Sequence, residues 1–573
     1  MRLKQRTCLL AFCTTCVLSS LGPPHLEAST LMVTSLNDDG PGSIRDAISN
    51  AAPGDTISFS VVGTISLSNG AVTISKDLSL VGPGPEKLAI TGNQGQRVFE
   101  ISPNTTASIS GLSITNGHAS DGGFVWIFYR ITNSPSAQGG DGGGIYNSGT
   151  LSLSNCAVLN CTAGAGGEVW YDYGLSVTYP GAGGSGGGIY NGGVLVAVDC
   201  IFSINSAGPG AVGGFDYEGE AAVPTDGADG GSGGALYNQG VAILTNCAVV
   251  ANSASYGGSG VKGSCPGGAC VSNGGQAGSG GGILNSGELT LVGCNLADNS
   301  AGQSGAGPLP HSGGFGGAIC NFGTVNLAWC TLADNAAGNG ITPSQAVVPG
   351  AGGWGGAIYN ASALSAVAST FYTNMAGVGG EGKATLGYEH IIFGGGTGGN
   401  GGAIANDGSL MLTNCTLALN ISGVGGPGVF INTNCGTGGG KSGDGGAIYN
   451  RGNCFLAACT ISENQAATGG RGAYTLPYCF PNDGSTGRAG GIFNSSYAEL
   501  TDVIIALNFG DPGSPELWGT FASLGYNLVG ERDGSSGLTN GLNSDLIGSF
   551  SAPINPLLGP LQDNGGPTRM ALS

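Results

Sequence analysis

The motif Gly-Gly-Ile-Tyr-Asn at Gly143–Asn147 recurs, with small changes, along most of the chain. The asparagine that closes it stands at 147, 191, 238, 285, 321, 360, 406, 450 and 494. Nine residues beyond each lies Cys156, Cys200, Cys247, Cys294, Cys330, Ser369, Cys415, Cys459 or Val503. Fourteen beyond lies Cys161, Asn205, Asn252, Asn299, Asn335, Asn374, Asn420, Asn464 or Asn508. A constant piece of about 22 residues therefore alternates with a Gly-rich piece of variable length, and such self-similarity marks a solenoid. Alternating runs such as "TLSLS", "VAILT" and "ELTLV" inside the constant piece carry the period-2 signature of strands. Three short strands and their bends make one turn of a right-handed parallel β-helix. The expected architecture is all-β, pectate-lyase-like, with long Gly-rich loops.

In such a stack equivalent residues form columns about 4.8 Å apart. A carboxamide both donates and accepts, so asparagines at that spacing can bond along the column with no ligand. The cysteine column tolerates Ser369 and Val503, which suits a small, polarizable core filler. Metal binding would need ligands that converge, and these thiols lie along a line. Cys265 and Cys270 in "SCPGGAC" are expected to bridge locally, and Cys435 could meet Cys479 from the next loop.

Glycine supplies 116 of 573 residues, about three times the usual share, yet it does not recur every third residue as in collagen, and Ile, Val and Leu are plentiful. Residues 1–28 read as an export signal: Arg2, Lys4 and Arg6, then apolar Cys8–Leu21, then Ala28 as a cleavage point. No other apolar run approaches 18 residues, so no membrane span is expected. Without Arg2, Lys4, Arg6 and Glu27, 13 basic face 34 acidic residues. That balance repels nucleic acid and polyanionic glycans unless cations mediate.

Residues 29–118 read as an N-terminal cap and about three irregular coils, with Ser43 capping a short helix that buries Ile44, Ala47 and Ile48. Residues 119–508 hold the nine repeats, and 509–573 the last coil and its cover. Three Gly-rich loops carry aromatics at 124–130, 168–179 and 473–480, and aromatic faces can stack on sugars or proteins.

"GGAI" stands at Gly316–Ile319, Gly355–Ile358, Gly401–Ile404 and Gly445–Ile448, and "FxxN" at Phe202–Asn205 and Phe371–Asn374. Over about 140–508 the chain resembles the repeat region of polymorphic outer membrane proteins, bacterial surface adhesins of the autotransporter class. Ser43-Ile44-Arg45-Asp46-Ala47 loosely resembles the Cys-Ser-Leu-Arg-Glu-Ala-type start of bacterial surface β-helix proteins. "LGPLQDNGGPT" is similar to the ending of choice-of-anchor repeat proteins. The resemblance implies a surface or secreted structural and adhesive role. It departs at the C-terminus, where the strands of an outer-membrane barrel are not found in this sequence.

Parallel β-helices also host enzymes, so fold does not decide function. The Asn-Thr-Asp, Gly-His-Gly and Arg-Ile-Lys signatures of polygalacturonase-like sites do not occur in the repeats. Lys262 and Lys383 are the only basic residues between Arg130 and Lys441, both in Gly-rich loops, which leaves a lyase short of a base. The weak catalytic candidates are Asp298 and Asp334, which precede the second-column asparagine on adjacent coils. Their backbones would lie about 5 Å apart, near the carboxyl spacing of retaining glycosidases. Their column also holds Asn160, Ile204, Ala251, Thr373, Leu419, Glu463 and Leu507, a mixture that reads as a solvated face. His118, His311 and His390 are scattered, the glycine-flanking positions show no aspartate ladder for calcium, and no cofactor or metal is expected. The expectation is a monomeric rod of about a dozen coils, ~60 Å long, secreted or held at the cell surface or outer membrane. Glycans or cell-surface molecules would be its partners, and glycan cleavage is the alternative function.

Overall fold

The computed structural model describes residues 28–562, apart from positions 94, 124 and 310 and segments 128–137, 172–179, 219–220, 266–267, 343–348, 385–391, 430–435 and 474–481. The chain winds through three parallel sheets of 14, 14 and 13 strands, a right-handed parallel β-helix. Each repeat runs Ile-Tyr-Asn strand, five-residue strand, three-residue strand, Gly-rich excursion. Equivalent residues pair in register from rung to rung, as in Asn147↔Asn191↔Asn238 and Leu151↔Leu195↔Ala242. Alternation sends Leu151 and Leu153, or Leu289 and Leu291, inward to full burial. Each such side chain contributes on the order of 2 kcal/mol.

Three positions per rung take a left-handed backbone: Gly142 and its equivalents down to Gly445 and Ala489, and two corners between strands. One falls just before the cysteine column, at Asn155, Asp199, Asn246, Gly293, Trp329, Ala368, Asn414, Ala458 and Asp502, with φ between +47° and +62°. The other holds the mixed column from Asn160 to Leu507, with φ between +52° and +64°. Asn, Asp and Gly suit that region, whereas Ile204 and Thr373 do not; the register of the ladders on either side holds them there.

Both asparagine columns are continuous hydrogen-bonded ladders. In the first, each Nδ2 donates to the Oδ1 of the next rung at 2.6–2.9 Å, from Asn147 through Asn191, Asn238, Asn285, Asn321, Asn360, Asn406 and Asn450 to Asn494. The second runs from Asn205 to Asn508 and saturates each amide. Asn252 Oδ1 accepts from both the backbone N–H and the Nδ2 of Asn205, and Asn252 Nδ2 donates to Asn299 Oδ1 and to the Phe202 carbonyl. All are buried. The ladder closes on Glu516 Oε2, which accepts from Asn508 Nδ2 at 2.6 Å.

The Gly-rich excursions are more than loops, which corrects the sequence expectation. All leave and rejoin the coil at one edge, where outgoing and incoming segments stack as two layers with a three-residue period. Beyond Asn205, the N–H groups of Ala207, Gly210 and Gly213 donate to Ser253, Tyr256 and Ser259 on the next rung. Gly208 and Ala211 donate across to Gly184 and Gly181 in the other layer, while Pro209 and Val212 face outward. Three residues per turn is the repeat of polyproline II, and packing such helices this closely favours glycine at the inward positions, with alanine where a methyl fits, as at Ala207 and Ala211. A Cβ on Gly208 would stand 1.8 Å from the Gly164 carbonyl oxygen, and one on Gly258 1.7 Å from that of Ala211. The collagen constraint excluded for the whole chain thus governs these segments locally.

At the N-terminal end, helix Ile44–Asn50 begins at Ser43, whose side chain accepts from the Asp46 N–H, and buries Ile44, Ala47 and Ile48. Arg45 ties it to Asp38 at 2.8 Å and to the Ala71 carbonyl at 2.9 Å. Residues 1–27 lie outside the described residues, and with them most of the predicted export signal. Among the described residues no helix is long and apolar enough to cross a membrane.

Two outcomes follow for stability. Gly208→Ala should cost about 3 kcal/mol or more, whereas Pro209→Ala, facing water one residue on, should stay within about 0.5 kcal/mol; urea midpoints separate them. Burial pushes the Glu516 carboxyl up to about 7, against hydrogen bonds from Asn508 that pull it down. The native state then holds this proton above the unfolded pKa. Its contribution is complete below about pH 4.5 and is lost as pH rises through about 7. Glu516→Gln should therefore melt near the wild type at pH 4.5 and several degrees above it at pH 8.

Candidate functional site

Asp298 and Asp334 sit on adjacent rungs: their strands pair at Ala297↔Ala333, and Asp298 N–H donates to the Ala333 carbonyl at 3.2 Å. Both are exposed and both take the left-handed corner, at φ +56° and +54°. Ala251 and Thr373 hold the same corner on the rungs before and after. The column's geometry is thus that of a backbone bend with two carboxylates on its outer side.

The cysteines lie in the core. Ten free thiols among the described residues are all buried, seven of them in the predicted column. Burial pushes Cys161, Cys320 and Cys454 up to about 12. Cys200 is pushed up by the neighbouring thiols Cys156 and Cys247 together with burial. Thiols pushed up by burial stay protonated and donate to carbonyls, as Cys161 does to Leu159 at 3.3 Å, whereas in the stacked column Cys156, Cys294 and Cys415 are drawn down by the thiol on the neighbouring rung. Cys265 and Cys270 are bridged as expected, whereas Cys435 and Cys479 lie outside the described residues. Among the described residues no three His, Cys, Asp or Glu side chains converge as for a metal. His118 is held by Thr162 Oγ1 at 2.6 Å and Asp121 at 3.0 Å, and His390 is outside the described residues.

The Gly-rich double layer carries the features suited to recognition. Of the three aromatic loops, the structure describes two paired strands at their base, Val125–Ile127 beside Val169–Tyr171. Positions 124, 128–130 and 172–179 and nearly all of 473–480 lie outside the described residues. On the outgoing face, Tyr256, Ser259, Gln303 and Ser304 line an open hollow of about 340 Å³. Tyr256 is 60% exposed because it occupies the outward third position of its segment. Just beyond Ser259 the chain rises into the hairpin Lys262–Cys265/Gly268–Val271 that the disulfide closes. An exposed aromatic ring among hydroxyls and a carboxamide, with no charge in the lining, suits a neutral sugar ring.

Along the incoming edge runs an aromatic ridge built from the outward middle residue of each Ile-Tyr-Asn strand. Tyr146 and Tyr190 stack at 4.6 Å, and Tyr449, Phe493 and Trp518 continue at 5.0 and 4.4 Å. At Leu284, Cys320 and Ala405 the column lacks a ring, and past Ala405 Trp354 crosses to Tyr449 at 5.5 Å. Arg97 lies over Tyr146, Arg451 over Trp354, and Arg488 over both Phe493 and Trp518. Asp444 fixes Arg488 at 3.0 Å and Lys441 at 2.8 Å. Burial draws Asp407 upward, but Arg451 and the Tyr359 hydroxyl outweigh it and hold the carboxylate below its usual range. The rings spend their faces on one another and on guanidinium groups, so the ridge braces the edge from which the incoming segments enter the coil. Sequence reading missed it because Trp354 and Arg488 belong to a column of mixed type.

No protein-family model matches the chain, and no curated protein does. Among solved structures it is similar to the pectate lyase Pel9A, at 10% identity over 69% of this chain and 78% of that one, with a TM-score of 0.31. A mannuronic acid-specific polysaccharide family 6 lyase from human gut microbiota matches at 9% identity over 83% and 82%, with a TM-score of 0.30. The catalytic domain of a GH87 alpha-1,3-glucanase in complex with nigerose matches at 11% over 86% and 68%, with a TM-score of 0.31. Identities of this order speak to fold alone, and at these scores the β-helix rests on this chain's own ladders.

Buried thiols should ignore a soluble alkylating agent. Iodoacetamide at pH 8 is expected to label none of the ten free cysteines of the native protein and all of them in denaturant, read by peptide mass. Labelling of Cys200 or Cys294 in the native state would contradict a filler role.

Proposed function

We propose that the chain is an exported structural and adhesive protein of the polymorphic outer membrane protein type, secreted or held at the cell surface, whose Gly-rich layer binds glycans. One observation carries this reading: every excursion leaves the coil at the same edge and stacks on its neighbours, so the insertions emerge as an ordered row. The repeated polar residues are consumed by the scaffold, the asparagines in ladders and the thiols in the core. Variation is left to the outward positions of the layer and to its tips, where Tyr256 and Gln303 frame a hollow. A rigid rod gives such a row many weak contacts at once, and multivalency turns these into firm attachment.

Glycan cleavage is the second reading, and the adjacency of Asp298 and Asp334 is what favours it. A glycan array followed by calorimetry, together with depolymerisation assays on pectins and other glycans with and without Ca²⁺, tests both. The adhesive reading expects binding without turnover, weakened at least tenfold by Tyr256→Ala or Gln303→Ala and unchanged by Asp298→Asn. Depolymerisation that Asp298→Asn or Asp334→Asn abolishes would replace it with the enzymatic one.

A further inference from the structure

Toward its C-terminal end the sheet of five-residue strands holds an open hollow of about 270 Å³. Three strands build it, Ser409–Thr413, Asn453–Ala457 and Tyr497–Thr501, and their register sets its floor. Ser409, Asn453 and Tyr497 stand side by side in one file, and Met411, Phe455 and Glu499 in the next. Alternation turns all six outward, while Leu410 and Cys454 between them point into the core. With rungs ~4.8 Å apart and ~3.4 Å per residue, the grid spans roughly 10 Å along the rod and 7 Å across it. The ten five-residue strands from Thr106–Ser110 to Tyr497–Thr501 each turn three residues outward, and among these only Glu288 and Glu499 are charged. Five rungs separate the two, so Glu499 is an isolated carboxylate on this face. Arg451, two residues before Asn453, is paired with Asp407 at 2.6 Å and lies over the Trp354 ring.

We propose that this hollow is a subsite for a cationic amino sugar. Its volume falls just below the ~300 Å³ at which pockets for drug-sized ligands begin, so the ligand is small. The Tyr497 hydroxyl donates to Glu499 Oε1 and steadies the carboxylate, which leaves Oε2 without a partner among the described residues. The Ser409 hydroxyl and the Asn453 carboxamide are likewise uncommitted among the described residues, and both residues are exposed. An ammonium group donates strongly to a free carboxylate oxygen, and the adjoining Phe455 and Tyr497 rings attract a cation further. A bare cation would leave Ser409 and Asn453 idle. Hydroxyls on the ligand engage both, since a carboxamide donates and accepts. Phe455 and Met411 supply an apolar floor for the C–H face of a sugar ring. One amine, several hydroxyls and an apolar face together describe an amino sugar. The formal charge of −19 on the whole chain draws such a cation in. This ligand differs in charge from the neutral ring that suits the Tyr256 hollow, and the two sites lie on different faces. Either can therefore fail without the other.

Calorimetry on the full chain tests the site, at about pH 5.5 and in about 0.15 M salt so that unspecific attraction is screened. The probes are a glucosamine trisaccharide, its fully N-acetylated counterpart, and choline. N-acetylation removes the charge and keeps the rings and their hydroxyls, whereas choline keeps a charge with a single hydroxyl. The free-amine trisaccharide is expected to bind once per chain, about tenfold or more tighter than either of the others. Glu499→Gln and Phe455→Ala should each weaken it about tenfold or more with unchanged melting. Glu288→Gln, on the same face, and Tyr256→Ala, in the other hollow, should leave it as it is. Absence of binding, equal binding of the N-acetylated sugar or of choline, or indifference to Glu499→Gln would each overturn the proposal. A loss on Glu288→Gln or Tyr256→Ala would overturn it as well, by placing the sugar elsewhere.

Discussion

A carboxamide buried in a β-helix has four hydrogen bonds to make, and like carboxamides on the rungs to either side supply two of them while the backbone supplies the rest. Asn252 illustrates the constraint: its oxygen serves Asn205 twice, and its nitrogen serves Asn299 and the Phe202 carbonyl. Replacing one member by an apolar residue leaves a buried donor behind it and a buried acceptor ahead of it, so the change is felt on three rungs. The offset between columns is therefore fixed, whereas the excursion between repeats can lengthen freely so long as it returns to the same edge. This is why gaps between repeats vary while the spacing from Asn147 to Cys156 to Cys161 does not.

Glycine enforces the second constraint, one of distance. Where outgoing and incoming segments lie layer upon layer, carbonyl oxygens occupy the space a Cβ would take at many glycines, and the inward positions are held by small residues, mostly glycine with some alanine and serine. The outward third position is free of that demand. Pro209, Tyr256, Gln303 and Asn339 take it on successive rungs, so the layer presents a lattice of unlike side chains on a uniform backbone. A scaffold with this division can change its outer surface without changing its fold.

The columns were legible in the sequence because each holds one residue type at one offset, and a parallel stack has only that way to satisfy an amide. The left-handed corners were not: Ile204, Leu419 and Glu463 give no hint of positive φ, since the ladders impose it from either side. The aromatic ridge was half visible, in the Tyr of Ile-Tyr-Asn, but the reach of Trp354 past Ala405 depends on a gap that only stacking creates. The glycine layers were hidden because a three-residue period confined to short segments disappears in a whole-chain count. As for the candidate pair, sequence placed Asp298 beside Asp334 correctly, while the bend they occupy could be seen only from the backbone.

Amide ladders are polar along the rod, and this sets the chemistry of its two ends. Each Nδ2 donates toward the C-terminus, so the N-terminal end must offer a donor and the C-terminal end an acceptor. At the start of the second ladder the Cys161 N–H donates to Asn205 Oδ1 at 3.0 Å, and no amide side chain is needed on that rung. At the far end the first ladder finishes on the Thr520 carbonyl at 2.6 Å, and the second on the buried Glu516. A short third run repeats the device, Asn527 donating to Asp545 at 3.0 Å. A carboxylate accepts without demanding a further partner ahead of it, which an asparagine in its place would do. A backbone carbonyl closes the first column and acidic side chains the other two, because each accepts from the last donor and needs no further amide ahead of it.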